Sequence, residues 1–259
     1  MALIEITNLS KSFGGNRAVD GIDLAVQPGE IVGLVGPNGA GKSTIFNLIT
    51  GFLRPNSGTI RFKGDNITGL RPDQIAKKGI GRTFQITLLF HGQTVLESML
   101  AGHVRQERTG FWHALFDTGS YRKERSQAFE KSLDTLQFMG LTEWKDTLVN
   151  VLPCGLQRFL GIAQVIMSPV EMLLLDEPLT GLNEEEISIL LGKLKQLQSQ
   201  GTSILLIEHH MKAVMSFCDR ITVINFGRKI AEGAPGEIST NPAVIEAYLG
   251  CKRGAVHAS

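Results

Sequence analysis

Residues Gly36, Pro37, Asn38, Gly39, Ala40, Gly41, Lys42, Ser43 and Thr44 bring together the residue types that hold a phosphate. Glycines let successive backbone amides turn inward on an anion, a lysine reaches the terminal phosphates, and a serine hydroxyl suits Mg²⁺. The flanks match this chemistry. The apolar run Ile31–Val35 precedes the loop, and Thr44-Ile45-Phe46-Asn47-Leu48-Ile49 follows it. Strand, glycine loop and helix are thus expected in that order, with the helix start adding partial positive charge. Nucleotide chemistry follows, shared at this level by kinases, GTPases, helicases and transport ATPases.

Two further groups of residues end apolar runs in the same way. After Leu173-Leu174-Leu175 come Asp176 and Glu177, at the strand end where ligands of open α/β sheets sit. Asp176 suits Mg²⁺, directly or through water, and Glu177 suits a water attacking the terminal phosphate, since hydrolysis needs positioning and electrostatics above all. Ile207-Glu208-His209-His210 closes the next apolar run, so His209 or His210 is placed to reach the same rim. No further His or Cys lies at metal-ligand spacing around them.

The elements that must position these groups read as an α/β chain. Residues 4–9, 21–26, 31–35 and 59–62 form short apolar or alternating strands, separated by Gly14-Gly15, Pro28-Gly29 and Pro55-Asn56-Ser57-Gly58. Residues 94–140 turn helical, with Phe129, Leu133, Leu136 and Met139 expected on one apolar face. Within that stretch, residues 111–116 form an aromatic patch that fits either helix packing or a docking surface. Strands at 172–175, 203–207 and 221–225 then alternate with helices at 184–200 and 211–217, Asn183 capping the first of these and Gly201 ending it. Alternation of this kind implies a mainly parallel sheet wrapped by helices.

Composition narrows the setting. At 259 residues, with 42% hydrophobic and 20% charged residues, the chain can bury a full core and is neither disordered nor fibrous. Twenty-six Lys and Arg against twenty-five Asp and Glu leave a net charge of +1, without the basic excess of a dedicated nucleic-acid binder. Cys154, Cys218 and Cys251 are odd in number and far apart, which fits a reducing compartment. No apolar run approaches the ~20 residues of a membrane helix, and Met1-Ala2-Leu3-Ile4-Glu5 does not read as a leader. A cytoplasmic chain is expected, with any membrane role reached through a partner.

The order of motifs carries a family resemblance over nearly the whole chain. Gly36 to Ser43, Gln85 in Arg82-Thr83-Phe84-Gln85, Leu152-Pro153-Cys154-Gly155-Leu156-Gln157-Arg158, Asp176-Glu177, Thr180-Gly181-Leu182-Asn183 and His209 together resemble the ATP-binding cassette ATPases. Ile80-Gly81-Arg82-Thr83-Phe84-Gln85, the aromatic insert and the tail Asn241-Pro242-Ala243-Val244-Ile245-Glu246-Ala247-Tyr248-Leu249-Gly250 look like the ATPase subunits of branched-chain amino acid importers.

That resemblance implies a P-loop NTPase fold: a mainly parallel core sheet, an N-terminal antiparallel β subdomain and an inserted helical subdomain. It implies one cassette domain over 1–259, with 1–85 holding the β subdomain and the phosphate loop. Residues 86–158 would be the helical subdomain, 159–235 the rest of the core and 236–259 a tail. It further implies that Phe13 stacks on adenine, Lys42 and the loop amides hold the phosphates of ATP, and Ser43, Gln85 and Asp176 serve Mg²⁺. Glu177 would be the base, with His209 on the γ-phosphate and the attacking water, and Gln85 beside them. The implied partners are transmembrane permease subunits and a second ATPase subunit, a heterodimer being favoured over a homodimer. A solute-binding protein would act only indirectly, nucleic acid would not be a partner, and the chain would lie peripherally on the inner membrane face.

One segment departs from the family pattern. Where the cassettes carry Leu-Ser-Gly-Gly-Gln, this chain has Leu152, Pro153, Cys154, Gly155 and Leu156, so the serine, the first glycine and the glutamine are replaced. In the family this segment opens a helix against the γ-phosphate held by the opposite protomer. Losing one charge-assisted bond there costs on the order of 1.5–3 kcal/mol, roughly ten- to hundred-fold in closure or rate. An ATP-gated regulatory cassette with weak hydrolysis is therefore the competing expectation to a transport ATPase.

Overall fold

The computed structural model describes residues 1–83, 92–104 and 119–254. In chain order its strands are β1 (Ile4–Phe13), β2 (Asn16–Val26), β3 (Ile31–Val35), β4 (Ser57–Phe62), β5 (Asp65–Asn66), β6 (Ile80–Arg82), β7 (Met172–Asp176), β8 (Ser203–Ile207), β9 (Arg220–Asn225) and β10 (Arg228–Gly233). The α-helices are α1 (Lys42–Ile49), α2 (Pro72–Lys77), α3 (Val95–Val104), α4 (Gly119–Met139), α5 (Cys154–Ile166), α6 (Glu184–Ser199), α7 (Met211–Phe217), α8 (Pro235–Thr240) and α9 (Pro242–Gly254). The chain forms two compact units. One comprises Met1–Arg82, Glu171–Leu179 and the chain from Lys195 onward, and the other comprises Thr83–Val170 and Thr180–Leu194.

In the first unit, two kinds of strand make two kinds of sheet. Ile4, Ile6 and Leu9 of β1 are buried while Glu5 and Thr7 face out, and Ile22, Leu24 and Val26 of β2 repeat this alternation. One-sided strands of this type pair antiparallel over a shared apolar face. They do so here in the order β2-β1-β4-β5. By contrast β3, β7 and β8 are buried at every position. Such runs need cover on both faces and lie parallel at the centre of the six-stranded sheet β10-β9-β3-β8-β7-β6, with β10 antiparallel at one edge. The P-loop NTPase architecture expected from the sequence is the one observed.

Register decides what the core sheet can present. Leu34 and Asp176 both pair with Ile207, and Val35 pairs with Val223. The carboxyl ends of β3, β7 and β8 therefore finish within a residue of one another and β9 runs two residues further, so Gly36, Glu177, Glu208 and Phe226 all emerge at this end of the sheet.

In the second unit, α3 begins beside an isolated bridge between Thr94 and Leu148, and Gln164 Nε2 of α5 donates to Ser98 Oγ of α3 at 2.7 Å. The face of α4 differs from the one read in the sequence. Ala128, Ser132, Thr135, Leu136 and Met139 are buried, whereas Phe129 is 43% exposed and Leu133 only half-buried. Ser132 and Thr135 turn inward because their hydroxyls donate to the carbonyls of Ala128 and Lys131, at 2.8 and 2.7 Å. Each polar group is thereby satisfied within its own helix. Gln85 and the aromatic patch at 111–116 lie outside the described residues.

Truncating the two phenotypically similar apolar side chains of α4 therefore has unequal effects. Leu136→Ala is expected to lower unfolding free energy by about 2–4 kcal/mol, and Phe129→Ala by less than ~1 kcal/mol. Urea unfolding of both variants checks this, and equal losses would restore the face read from periodicity.

Candidate functional site

The phosphate loop is shaped by what surrounds it. Gly36, Gly39 and Gly41 all have positive φ. At Gly36 a Cβ would collide with the Ile224 carbonyl oxygen, and at Gly41 with that of Ala18. No other residue fits those two places, because β9 and β2 press their backbones against the loop. The Gly227 amide donates to the Ala40 carbonyl at 3.0 Å, and the Gly227 carbonyl accepts from the Asp20 amide at 2.9 Å. One glycine of the β9–β10 turn thus ties the loop to β2.

Gly41 precedes α1, which has no side-chain cap and no acidic residue in its first turn. Its first amides and its dipole are left to an anion. Lys42 is buried, and its ammonium donates to the Gly36 and Pro37 carbonyls at 2.7 and 2.9 Å. Burial pushes its pKa down, while the carboxylates of Glu177 and Asp176 oppose that shift. A phosphate arriving there would add to the same opposition and favour the charged lysine. Ser43 is exposed at the helix start, Thr44 is half-buried, and Asn38 and Gly39 face solvent. Phe13, at the end of β1, is 49% exposed, with Lys11 Nζ 5.4 Å from its ring centroid.

At the end of β7, Asp176 is buried and its Oδ2 lies 3.0 Å from Arg82 Nη2. Arg82 Nη1 also donates to Asn47 Oδ1 at 2.7 Å and Thr50 Oγ1 at 3.0 Å. Its guanidinium sits 5.4 Å from the Phe46 ring centroid. Burial pushes the arginine's pKa down and Asp176 holds it up. The next residue, Glu177, has φ 48°, a left-handed conformation costing roughly 1–3 kcal/mol for a side-chain-bearing residue. It is held there by its amide, which donates to the Ile207 carbonyl at 2.9 Å.

At the end of β8, Glu208 is almost wholly buried. It accepts the Leu179 amide at 2.8 Å through one oxygen and the His209 amide at 3.1 Å through the other. Glu208 therefore fastens the turn after Glu177 to the turn that carries His209. His209 Nδ1 lies 3.8 Å from Glu177 Oε1, both side chains reaching the same rim. His210 occupies the N-cap of α7 instead.

Sequence reasoning singled out Lys42, Asp176, Glu177 and His209, and the fold brings all four to one sheet edge. It missed Arg82 and Glu208 as members. Each is a charged residue at the end of a strand, and Glu208 directly precedes His209.

In the second unit Pro153 is the N-cap of α5, so helix begins at Cys154 and the proline precedes the first turn. Leu152 and Gly155 are buried, Leu156 is half-buried, and Pro153 and Cys154 are exposed. Gly155 is pressed against the Glu186 carboxylate, which a Cβ would strike. Gln157 Nε2 donates to the Leu152 carbonyl at 2.9 Å. Asn183 caps α6 reciprocally, its Oδ1 accepting the Glu186 amide and its amide donating to Glu186 Oε2, both at 2.9 Å.

A glycine loop opening a helix, with carboxylates and a histidine at neighbouring parallel strand ends, defines a P-loop nucleotide-hydrolysing domain. Residues 19–180 match the model of the ABC transporter family, and residues 228–250 that of the branched-chain amino acid ATP-binding cassette transporters. The chain is 43% identical to the high-affinity branched-chain amino acid transport ATP-binding protein BraF of Pseudomonas aeruginosa, over 96% of this chain and 98% of that one. It has the same identity and coverage with LivG of Escherichia coli. A solved ATP-binding cassette of an ABC transporter in its ADP conformation superposes with a TM-score of 0.85 at 31% identity, covering 96% and 99% of the two chains. A nucleotide-free cassette gives 0.84 at 30% identity over the same shares. The chain belongs to the ATP-binding cassette family of transporter ATPases.

The Arg82 and Asp176 pair is the part of the site most exposed to a single change. Arg82→Ala leaves a buried carboxylate without its bonded cation, and a loss of about 3–5 kcal/mol in unfolding free energy is expected. Arg82→Lys should recover little, since an ammonium does not span Asn47, Thr50 and Asp176 together. Denaturant titration of both variants measures this, and near-native stability of Arg82→Ala would contradict it.

Proposed function

We propose that this chain is the ATP-hydrolysing subunit of an importer of branched-chain amino acids. Two cassettes close around ATP, and closure and reopening drive the permease subunits to which they are docked. The observation that carries this is the meeting of Lys42, Asp176, Glu177 and His209 at one sheet edge, in a chain similar end to end to transport ATP-binding proteins. Among the described residues no helix is long and apolar enough to cross a membrane. In this reading the cassette is held peripherally on the cytoplasmic face by its permease. The relatives' names lend nothing to the purely regulatory alternative.

In this reading Phe13 stacks on adenine, and Lys42 with the loop amides holds the phosphates. The donors at hand suit Mg²⁺: the exposed Ser43 hydroxyl and the Asp176 carboxylate are hard oxygens, with Gln85 assigned to the same shell. Among the described residues no group of three or more His, Cys, Asp and Glu could hold a metal ion. Bound there, Mg²⁺ would neutralise charge that develops on those oxygens. Glu177 orients the attacking water and takes its proton. His209, 3.8 Å away, steadies the γ-phosphate. The strained backbone of Glu177, locked through Glu208, keeps that carboxylate from relaxing away from the rim.

The segment from Leu152 to Leu156 faces the ATP of the second cassette in this arrangement. The unmatched first-turn amides of α5 still suit an anion, but the serine hydroxyl is lost and Cys154 stands where the family has glycine. A heterodimer, which we favour, would keep the site built on this chain's own loop fully competent if the partner supplies an intact segment. A homodimer would weaken both sites.

Two outcomes are expected. Glu177→Gln should bind ATP and lose turnover by about 10²-fold or more, as removal of a general base does, and phosphate release at the wild-type rate would remove Glu177 from that role. Pro153→Ser with Cys154→Gly should raise the turnover of the isolated homodimer roughly ten-fold or more, the worth of one restored charge-assisted bond. A wild-type chain already as fast as the double variant would show that the altered segment carries no cost.

A further inference from the structure

The turn joining β9 to β10 consists of Phe226 and Gly227, between the paired Asn225 and Arg228, and the Gly227 amide donates to the Ala40 carbonyl of the phosphate loop at 3.0 Å. Both turn residues lie at positive φ, 46° and 76°, the pattern of a type I′ hairpin turn. Gly227 is at home there and Phe226 is not. Such turns favour Asn, Asp or Gly at that place, and Phe226 gains nothing from burial, being 84% exposed. The turn is therefore held from outside, and Asp20 of β2 holds it twice. Its amide donates to the Gly227 carbonyl at 2.9 Å, and its half-buried carboxylate takes the Arg228 guanidinium, Nε and Nη2 each 2.8 Å from Oδ2. Arg17 Nη1 donates to the other carboxylate oxygen at 3.0 Å. The hydrogen bond from Arg228 holds the Asp20 carboxyl below its ordinary pKa, so it is ionised at neutral pH.

We propose that Asp20 is a positioning residue for nucleotide binding: by holding the Phe226 and Gly227 turn against Ala40, its carboxylate keeps the phosphate loop in its binding shape. The link runs from Asp20 to Arg228, through Gly227 to Ala40, and the Ala18 carbonyl of the same strand stands against both Gly41 and Gly227. This rests on the reading of residues 36–44 as the phosphate cradle. The sign of the effect separates positioning from a field. A carboxylate repels an anionic ligand, so a charge acting through space would make removal of Asp20 tighten binding, whereas loss of the link weakens it.

The test is calorimetric titration of the full chain with ADP at physiological salt, with urea unfolding confirming that each variant is folded under those conditions. Asp20→Asn is expected to weaken ADP binding roughly 3- to 5-fold, the upper part of the range for an exposed ion pair, and to raise KM for ATP with kcat within about two-fold. Arg228→Gln should act in the same direction, and the two together should be no worse than Asp20→Asn alone, since both break one connection. Arg17→Gln leaves the link to the turn intact and should stay within about two-fold. Phe226→Asn places a residue suited to the turn and should restore most of the affinity lost in Asp20→Asn. Tighter or unchanged ADP binding by Asp20→Asn, an equal loss in Arg17→Gln, or no recovery with Phe226→Asn would each overturn the assignment. Lys42→Ala in the same titration separates the levels. If it loses ADP and Asp20→Asn does not, only the Asp20 assignment fails, whereas wild-type binding by Lys42→Ala would sink the cradle reading and the positioning role with it.

Discussion

Everything at the site depends on how closely three backbones approach one another at Gly36 and Gly41. The carbonyls of Ile224 and Ala18 occupy the space that side chains at those two positions would need. This contact joins β9 and β2 to the phosphate loop, and the Gly227 amide on Ala40 closes the same seam. The antiparallel sheet is therefore more than an appendage. It supplies the wall against which the loop is moulded, and it ends in Phe13, on the strand paired with β2. A glycine loop without that wall would be free to adopt many conformations and would lose its preorganised donors to entropy.

The second constraint is electrostatic. Buried cations and carboxylates accumulate where β3, β6, β7 and β8 end, and each would be costly alone. They are tolerable as a set. Asp176 is bonded to Arg82, which Asn47 and Thr50 also satisfy, and Lys42 draws on the fields of Asp176 and Glu177 against its own desolvation. Glu208 is stabilised differently, by backbone amides on both oxygens. Such a set holds its geometry only while every member is present. The site thus has the rigidity that hydrolysis by positioning requires.

The parts legible in the sequence were those in which one strong local signal acted alone. Ile31–Val35, Ser203–Ile207 and Met172–Asp176 were apolar at nearly every position, and the strands appeared within a residue of where they were read. The stripe of Leu190, Leu194 and Leu197 was likewise legible, and all three are buried. On α4 the signal was divided. Hydrophobicity favoured Phe129, but Ser132 and Thr135 lost their polarity to bonds with their own helix, and the buried face turned accordingly. β6 and β10 were missed because short edge strands with charged residues carry little alternation. Arg82 and Glu208 escaped notice because their importance lies in partners distant in sequence, Asp176 and Leu179, that only the sheet register brings near.

Comparing helix starts clarifies what the altered segment retains. The start of α6 is closed to anions, with Asn183 and Glu186 capping each other and three glutamates in its first turn. The start of α1 is open, with neither a side-chain cap nor an acid. The start of α5 shares this open character, since Pro153 offers no side-chain acceptor and no acidic residue follows in the first turn. Glu186 of α6 does press its carboxylate on Gly155, so one negative charge stands beside the first turn of α5 although none lies within it. Replacing serine by proline and glycine by cysteine thus removed a side-chain donor and added bulk without closing the helix end. An anion approaching α5 would still find unpaired amides. The departure from the family pattern therefore changes the side chains at this helix start and leaves its first turn without a side-chain cap.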